Sequence, residues 1–175
     1  MEYKVVPCTY EKHAHSILET FNDAIENSTV IYEYQKLSLT SMVEWFDTKK
    51  ANGYPIIGLE SVDGQLLGFA SYSAFKIRPA YKYSIEHSIY VHKDFRGHGL
   101  SHILLELIIN AAKENNYHAL IGGIDADNQA SIALHEKHGF KHVGTLPEVG
   151  YKFGRWLNLA YYQLILPTPK TPSED

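Results

Sequence analysis

The stretch from residue 85 to residue 125 constrains this chain most. IEHSIYVH (85–92) alternates like a strand, and HKDFRGHGLS breaks it. A strongly amphipathic run follows, with Leu100, Ile103, Leu104, Leu107, Ile108 and Ala111 recurring at helical spacing. ALIGGID then reads as a short strand. Strand, glycine loop, helix and strand in that order make a crossover, the unit of α/β folds.

The flanking sequence supplies the other elements. Residues 2–8 alternate in strand fashion, and Thr9 is placed to cap a helix carrying Ala14, Ile17, Leu18, Phe21, Ala24 and Ile25 on one face. ENSTV reads as a loop. A second helix is expected from Ser41, where Ser41 and Glu44 match a capping box, burying Met42, Trp45 and Phe46. PIIGLES, the turn signal Asp63–Gly64 and QLLGFASYSAF form a hairpin. After the crossover, NQASIALHEKH reads as a helix stopped by Gly139, and strands follow around FKHVGT and NLAYYQLIL. The order is β-α-α-β-β-β-α-β-α-β-β. It predicts an α/β chain with a mixed, mostly antiparallel twisted sheet and helices on both faces. At 175 residues the chain has room for one domain, expected over residues 1–166. PTPKTPSED, within 167–175, reads as a flexible tail.

Charge and cysteine usage narrow the function. Lys and Arg number 16 against 20 Asp and Glu, a net charge of −4, which argues against a nucleic-acid partner. The cations are nevertheless concentrated. Lys76, Arg78 and Lys82 have no acid among them, while Lys93, Arg96, His92, His98 and His102 face Asp94 alone over residues 92–102. Cys8 is the single cysteine, which excludes a disulfide framework, and it reads as a small buried hydrophobe on the first strand. MEYKVVPC lacks the apolar core of a signal peptide, and no apolar stretch is long enough for a bilayer span, so a cytoplasmic protein with no membrane partner is expected. Ten histidines raise the question of a metal. His98 and His102 are four apart, and His135, His138 and His142 cluster, yet neither set has an acidic third ligand or an H-E-x-x-H pattern, so none is expected.

Arg96-Gly97-His98-Gly99-Leu100-Ser101 sits between a strand and a helix. Glycines there let backbone N–H groups face outward at the positive end of the helix, which suits a phosphate or pyrophosphate; they equally suit a tight strand-to-helix turn. The loop is neither G-x-x-x-x-G-K-[ST] nor G-x-G-x-x-G.

The spacing R-x-x-G-x-[G/A] after a strand and before a helix resembles the acyl-CoA pyrophosphate loop of the GNAT acetyltransferase superfamily, with Ser101 at its last position. The element order resembles that fold along essentially the whole chain. The stretches NDAIENSTVIYEY, GYPIIG, GFASYSAFKIRPAY, IEHSIYVH, FRGHGLS, IDADNQASIALHEKHGF, HVGTLPEVGYKFGRW and LNLAYYQL are similar to the phosphinothricin acetyltransferase group within it. The resemblance implies direct transfer of acetyl from acetyl-CoA, as co-substrate, to the α-amine of phosphinothricin, methionine sulfoximine or methionine sulfone. The same fold acetylating another amine, or a non-catalytic acyl-CoA-binding module, are the alternatives. It also implies a homodimer, with Tyr161 and Tyr162 in a strand-rich region that could face the partner copy.

Residue by residue, the resemblance places Ile89, Tyr90, Val91, Arg96, Gly97, His98, Gly99, Leu100, Ser101 and His102 at the cofactor, with Asn128 and Ser131 beside its arm. Glu86 becomes the candidate base for the amine, since a partly desolvated carboxylate accepts a proton more readily. His135 stands where many members carry Tyr, as either an acid for the departing thiolate or a packing residue. Lys76, Ile77, Arg78, Glu86, His87 and Ser88 match acceptor-contacting positions, and Lys152 and Arg155 form a second cationic set. Tyr32, Tyr34, Tyr81 and Tyr83 fall in loops that could wall the acceptor pocket.

Overall fold

A computed structural model describes Glu2–Asp175. Its elements follow the expected order: β1 (Tyr3–Pro7), α1 (Tyr10–Asn27), α2 (Leu39–Ala51), β2 (Ile56–Ser61), β3 (Leu66–Ala74), β4 (Ser84–Val91), α3 (Leu100–Glu114), β5 (Ala119–Asp125), α4 (Gln129–Lys137), β6 (Lys141–Lys152) and β7 (Arg155–Ile165). The strands hydrogen-bond as one mostly antiparallel sheet in the order β1-β2-β3-β4-β5-β7-β6, with β4 and β5 parallel. Among the described residues no helix is long and apolar enough to cross a membrane.

The residues group into two compact units. The first runs to Ser71 and includes Ile89–Leu105; the second is Tyr72–Ser88 with Glu106–Asp175. In the first, β1 and β3 flank β2 antiparallel. Thr9 caps α1 as expected, its Oγ1 accepting from the Lys12 N–H. The buried face of α1 delivers Phe21 into an aromatic cluster, edge-on to Trp45, Phe69 and Tyr90 with centroids 5.4, 5.3 and 5.0 Å away. Helix α2 begins earlier than Ser41. Ser38 is its cap, and the box is reciprocal between Ser38 and Ser41, each hydroxyl accepting from the other's N–H at 3.2 and 3.1 Å. A serine at the third helical position thus closes the box that Glu44 was expected to close. Met42 and Phe46 are buried, and Trp45 is half-buried.

Cys8 lies just past β1 and is half-buried, its thiol pushed up to about 12 by burial and by the charge of Glu60. Glu60 is fully buried on β2. Lys4 Nζ lies 2.8 Å from its Oε1, and Lys12 Nζ at 2.6 Å and His13 Nε2 at 3.2 Å from its Oε2. These partners hold its carboxyl down at about 2 and tie β1 and α1 to β2.

In the second unit β5 is central. It pairs with β7 along its whole length but with β4 only from Ser84–Glu86 to Ala119–Ile121. Strand β6 extends to Lys152, well past the expected FKHVGT. Pro147 and Gly150 hide it in the sequence, and register shifts at His142/Gly144 and Leu146/Gly150 absorb them.

Candidate active site

In the first unit, the turn before α3 places Gly97 and Gly99 at φ +81° and +76°. Nothing lies within 4 Å of a β-carbon built at either, so the demand is for left-handed backbone rather than for space. Left-handed residues in alternation turn N–H groups toward one side, and the N-terminus of α3 adds its positive dipole. The His98 Nδ1 lies 3.0 Å from the Arg96 carbonyl and 3.2 Å from that of Phe95; carbonyls only accept, so its N–H staples the turn. Arg96 donates through Nε to the Val91 carbonyl at 3.3 Å and through Nη2 to Asp23 Oδ2 at 2.6 Å. Leu100 is buried, while Ser101 and His102 are half-buried in the first turn of α3. Ile89 and Val91 are half-buried, and Tyr90 stacks on Phe69 with centroids 5.3 Å apart. That stacking commits the Tyr90 ring to the core. The end of β4 therefore has its backbone to present.

In the second unit, β4 carries Glu86 half-buried. Burial pushes its carboxyl above the ordinary carboxylate range, and the nearby Lys76 charge opposes this. A β-carbon on Gly123 would stand 3.0 Å from Glu86 Oε1 and 3.7 Å from Tyr161 Cε1. One on Gly122 would stand 3.0 Å from His87 Cε1 and 3.2 Å from His135 Nε2. Successive strand residues face opposite ways, so the glycine pair makes room for a carboxylate on one face and for two imidazoles on the other.

His87 and His135 are both buried, with their Nε2 atoms 2.9 Å apart. The His135 Nδ1 lies 2.7 Å from the Ser131 carbonyl and must carry its hydrogen; Nε2 of neutral His135 is then the acceptor, and His87 the donor. Burial pushes both rings below the usual histidine range. Neutral His135 thus has both nitrogens engaged within the protein. Asn128 caps α4, its Oδ1 accepting from the Ser131 N–H at 3.1 Å, so Asn128, Ser131 and His135 form one connected turn.

The expected acceptor contacts separate by exposure. Lys76, Ile77, Arg78 and Ser88 are exposed, whereas His87 points inward onto His135. Lys76 Nζ lies 5.4 Å from the Phe75 ring centroid. Lys82 is bonded to the Asp175 carbonyl oxygen, and the Tyr83 hydroxyl accepts from the Ser173 N–H. The second cationic set is occupied elsewhere. Arg155 pairs with Asp125 and Asp127, and Lys152 is buried with its Nζ over Phe153. Tyr162 is buried, and Tyr161 lies on the Glu86 face, edge-on to Phe75, which in turn packs on Tyr81. Neither tyrosine offers an exposed dimer face. Tyr32 and Tyr34 are exposed in the first unit.

Sequence reasoning did not place Tyr161 beside Glu86, and it passed over Gly123 and Asp23. Only Gly123 left a signal, as half of a Gly-Gly pair within a strand. Among the described residues no group of three or more His, Cys, Asp or Glu side chains is arranged to hold a metal.

The model of the Acetyltransferase (GNAT) family matches residues 15–140. The L-methionine sulfoximine/L-methionine sulfone acetyltransferase of Pseudomonas aeruginosa PAO1 is 41% identical over 157 residues, 89% of this chain and 91% of that protein. Among solved structures, an Acinetobacter baylyi ADP1 protein superposes with a TM-score of 0.98 at 53% identity, covering 99% of this chain and 98% of its own. A Sinorhizobium meliloti phosphinothricin acetyltransferase solved with acetyl-CoA gives 0.92 at 31% identity, over 98% and 93%.

Proposed function

This chain belongs to the GNAT acetyltransferase family, and from that premise we propose that it transfers acetyl from acetyl-CoA to the α-amine of a small amino acid of the methionine sulfoximine, methionine sulfone or phosphinothricin kind. The observation that carries this reading is Glu86, a half-buried carboxylate above the open floor at Gly123, with Lys76 beside it. An amino acid arrives mostly as an ammonium and cannot attack in that form. Glu86 takes the ammonium proton, directly or through a water. The freed amine attacks the thioester carbonyl, a carbon–nitrogen bond forms and the carbon–sulfur bond breaks. The nitrogen gives up its remaining extra proton, and the departing thiolate gains one. The transfer is direct, since the half-buried Cys8 thiol resists ionisation and is a poor covalent carrier.

The nest of N–H groups at Gly97–Ser101 and the Arg96 guanidinium receive the cofactor pyrophosphate, and the backbone of Ile89–Val91 receives its arm. His135 holds the Asn128–Ser131 turn rather than serving as the acid, because both its nitrogens are already engaged. Lys76 and Arg78 meet the acceptor's carboxylate and side-chain oxygens, with Ile77 and Ser88 at the rim. Val143, Leu146, Phe153 and Trp156, exposed on the β6–β7 hairpin, support assembly as a homodimer, which light scattering measures.

A thiol-release assay over amino acids and their sulfoximine, sulfone and phosphinate analogues, ranked by kcat/KM, tests the acceptor. The sulfoximine and sulfone of methionine should rank with the highest. Failure of every amino-acid acceptor, with acetyl-CoA still bound, would overturn the reading.

A further inference from the structure

Arg96 is exposed at the mouth of the loop, and a long exposed arginine ordinarily samples many rotamers. Here it does not hang free. Its Nε–H is held by the Val91 carbonyl at 3.3 Å and its Nη2 by Asp23 Oδ2 at 2.6 Å. Asp23 is itself fixed: its Oδ1 accepts from Asn27 Nδ2 at 3.0 Å, one turn along α1, and its side chain is only 15% exposed. Burial pushes the Asp23 carboxyl up, but the hydrogen bonds from Arg96 and Asn27 and the charges of Arg96 and Lys93 together hold it below its ordinary range. One turn earlier on the same face, Glu19 Oε1 lies 3.6 Å from Nε2 of His92, whose Nδ1 accepts from the Asp94 N–H at the start of the loop. Helix α1 therefore holds the strand-to-helix connection through the Asp23–Arg96 bond, with Glu19 approaching His92 one turn earlier.

A half-exposed ion pair of this sort adds little to stability. Its geometric effect is larger. With Nε and one edge of Nη2 occupied, the guanidinium plane is fixed and its remaining N–H groups are left to an incoming anion. We propose that Asp23 is a positioning residue for the cofactor: it orients Arg96 so that the guanidinium meets the pyrophosphate of acetyl-CoA in a single preset pose. This rests on the reading of the Arg96–Ser101 loop as the pyrophosphate site. Asp23 touches no substrate and acts only through Arg96.

The test is a double-mutant cycle on the full chain, with Asp23→Asn, Asp23→Ala, Arg96→Ala and the Asp23→Ala/Arg96→Ala pair. CoA binding is read by calorimetry, and steady-state kinetics are run with acetyl-CoA and with acetyl-pantetheine, a donor lacking the pyrophosphate. Asp23→Ala should weaken CoA binding by about five- to tenfold, a loss of one orienting charge-assisted contact, and should raise KM for acetyl-CoA rather than lower kcat. Asp23→Asn, which keeps the shape and one hydrogen bond, should fall between. The loss should vanish in the Arg96→Ala background and with acetyl-pantetheine. If Arg96→Ala weakens CoA but Asp23→Ala does not, or if the two effects simply add, the positioning role is wrong and the loop reading stands. If Arg96→Ala itself changes nothing, the loop reading fails and takes this inference with it.

Discussion

Glu86 reaches in close over Gly123: a β-carbon on Gly123 would stand 3.0 Å from the Glu86 carboxylate oxygen. The carboxylate leans over a strand residue that has no side chain, on a face where Gly123 is exposed. The space beside this carboxylate is thus kept open by a neighbouring strand. Gly123→Ala should displace the carboxylate and lower kcat by about tenfold or more, with KM for acetyl-CoA nearly unchanged. Steady-state kinetics check it, alongside a melting curve to establish that the variant folds.

The proposed role of Glu86 also fixes what the low-pH limb of the rate should look like. A base works deprotonated, and burial raises this carboxyl above its ordinary value. The rate should therefore fall as pH drops through that raised pKa, earlier than for an ordinary glutamate. Glu86→Gln should remove that limb and cost about 10²–10⁴ in kcat. A folded, acetyl-CoA-binding variant with wild-type turnover would refute the base assignment.

Arg78 is exposed, and the proposed function gives it the acceptor's carboxylate or side-chain oxygens to meet. Arg78→Ala should raise KM for the amino acid about tenfold, the loss of one charged hydrogen bond, and leave KM for acetyl-CoA unaltered. An unchanged amino-acid KM would remove Arg78 from the acceptor site.

The His87–His135 pair should reveal itself in stability more than in turnover. His135→Phe keeps a ring but strands the buried His87 N–H, a cost of about 1–3 kcal/mol. Melting temperature should drop while kcat stays within about tenfold, short of the ~10²-fold or more that loss of a general acid costs. In the native protein both rings titrate below 6.5, so the unfolded chain binds more protons once pH falls under that value. Stability should decline from pH 6.5 downward, and this slope should flatten in a His87→Phe/His135→Phe protein, as thermal melts across pH would record.

Glu60 acts in a lower window. Its folded pKa of about 2 lies below the ordinary glutamate value of 4.5, so its contribution is present above pH 4.5 and lost as pH falls toward 2. Glu60→Gln should lower the melting temperature at pH 7 by about 5 °C or more, because Lys4, Lys12 and His13 lose their shared anion. The difference from the native protein should shrink steadily across that acid window.

The sequence carried the order of elements because that order rests on local periodicity and turn chemistry. Thr9 capping α1, the Asp63–Gly64 turn and the crossover from β4 to β5 all lie within short reach along the chain. It failed where two local signals competed. Ser38 and Ser41 both resemble caps, and the serine box prevailed over Glu44. Pro147 and Gly150 hid the length of β6 until bulges against β7 accommodated them.

The sequence by itself determined the fold class, the family and the glycine loop, since each is encoded by residues close together in the chain. Tertiary structure alone decided which side chains are free to act. His87 and His135 are 48 residues apart and satisfy one another, as do Arg155 and Asp125 across 30; Asp23 reaches Arg96 across 73. The physical reason is that a hydrogen-bond donor's availability depends on what the folded chain brings against it. No spacing of residues along the sequence carries that information.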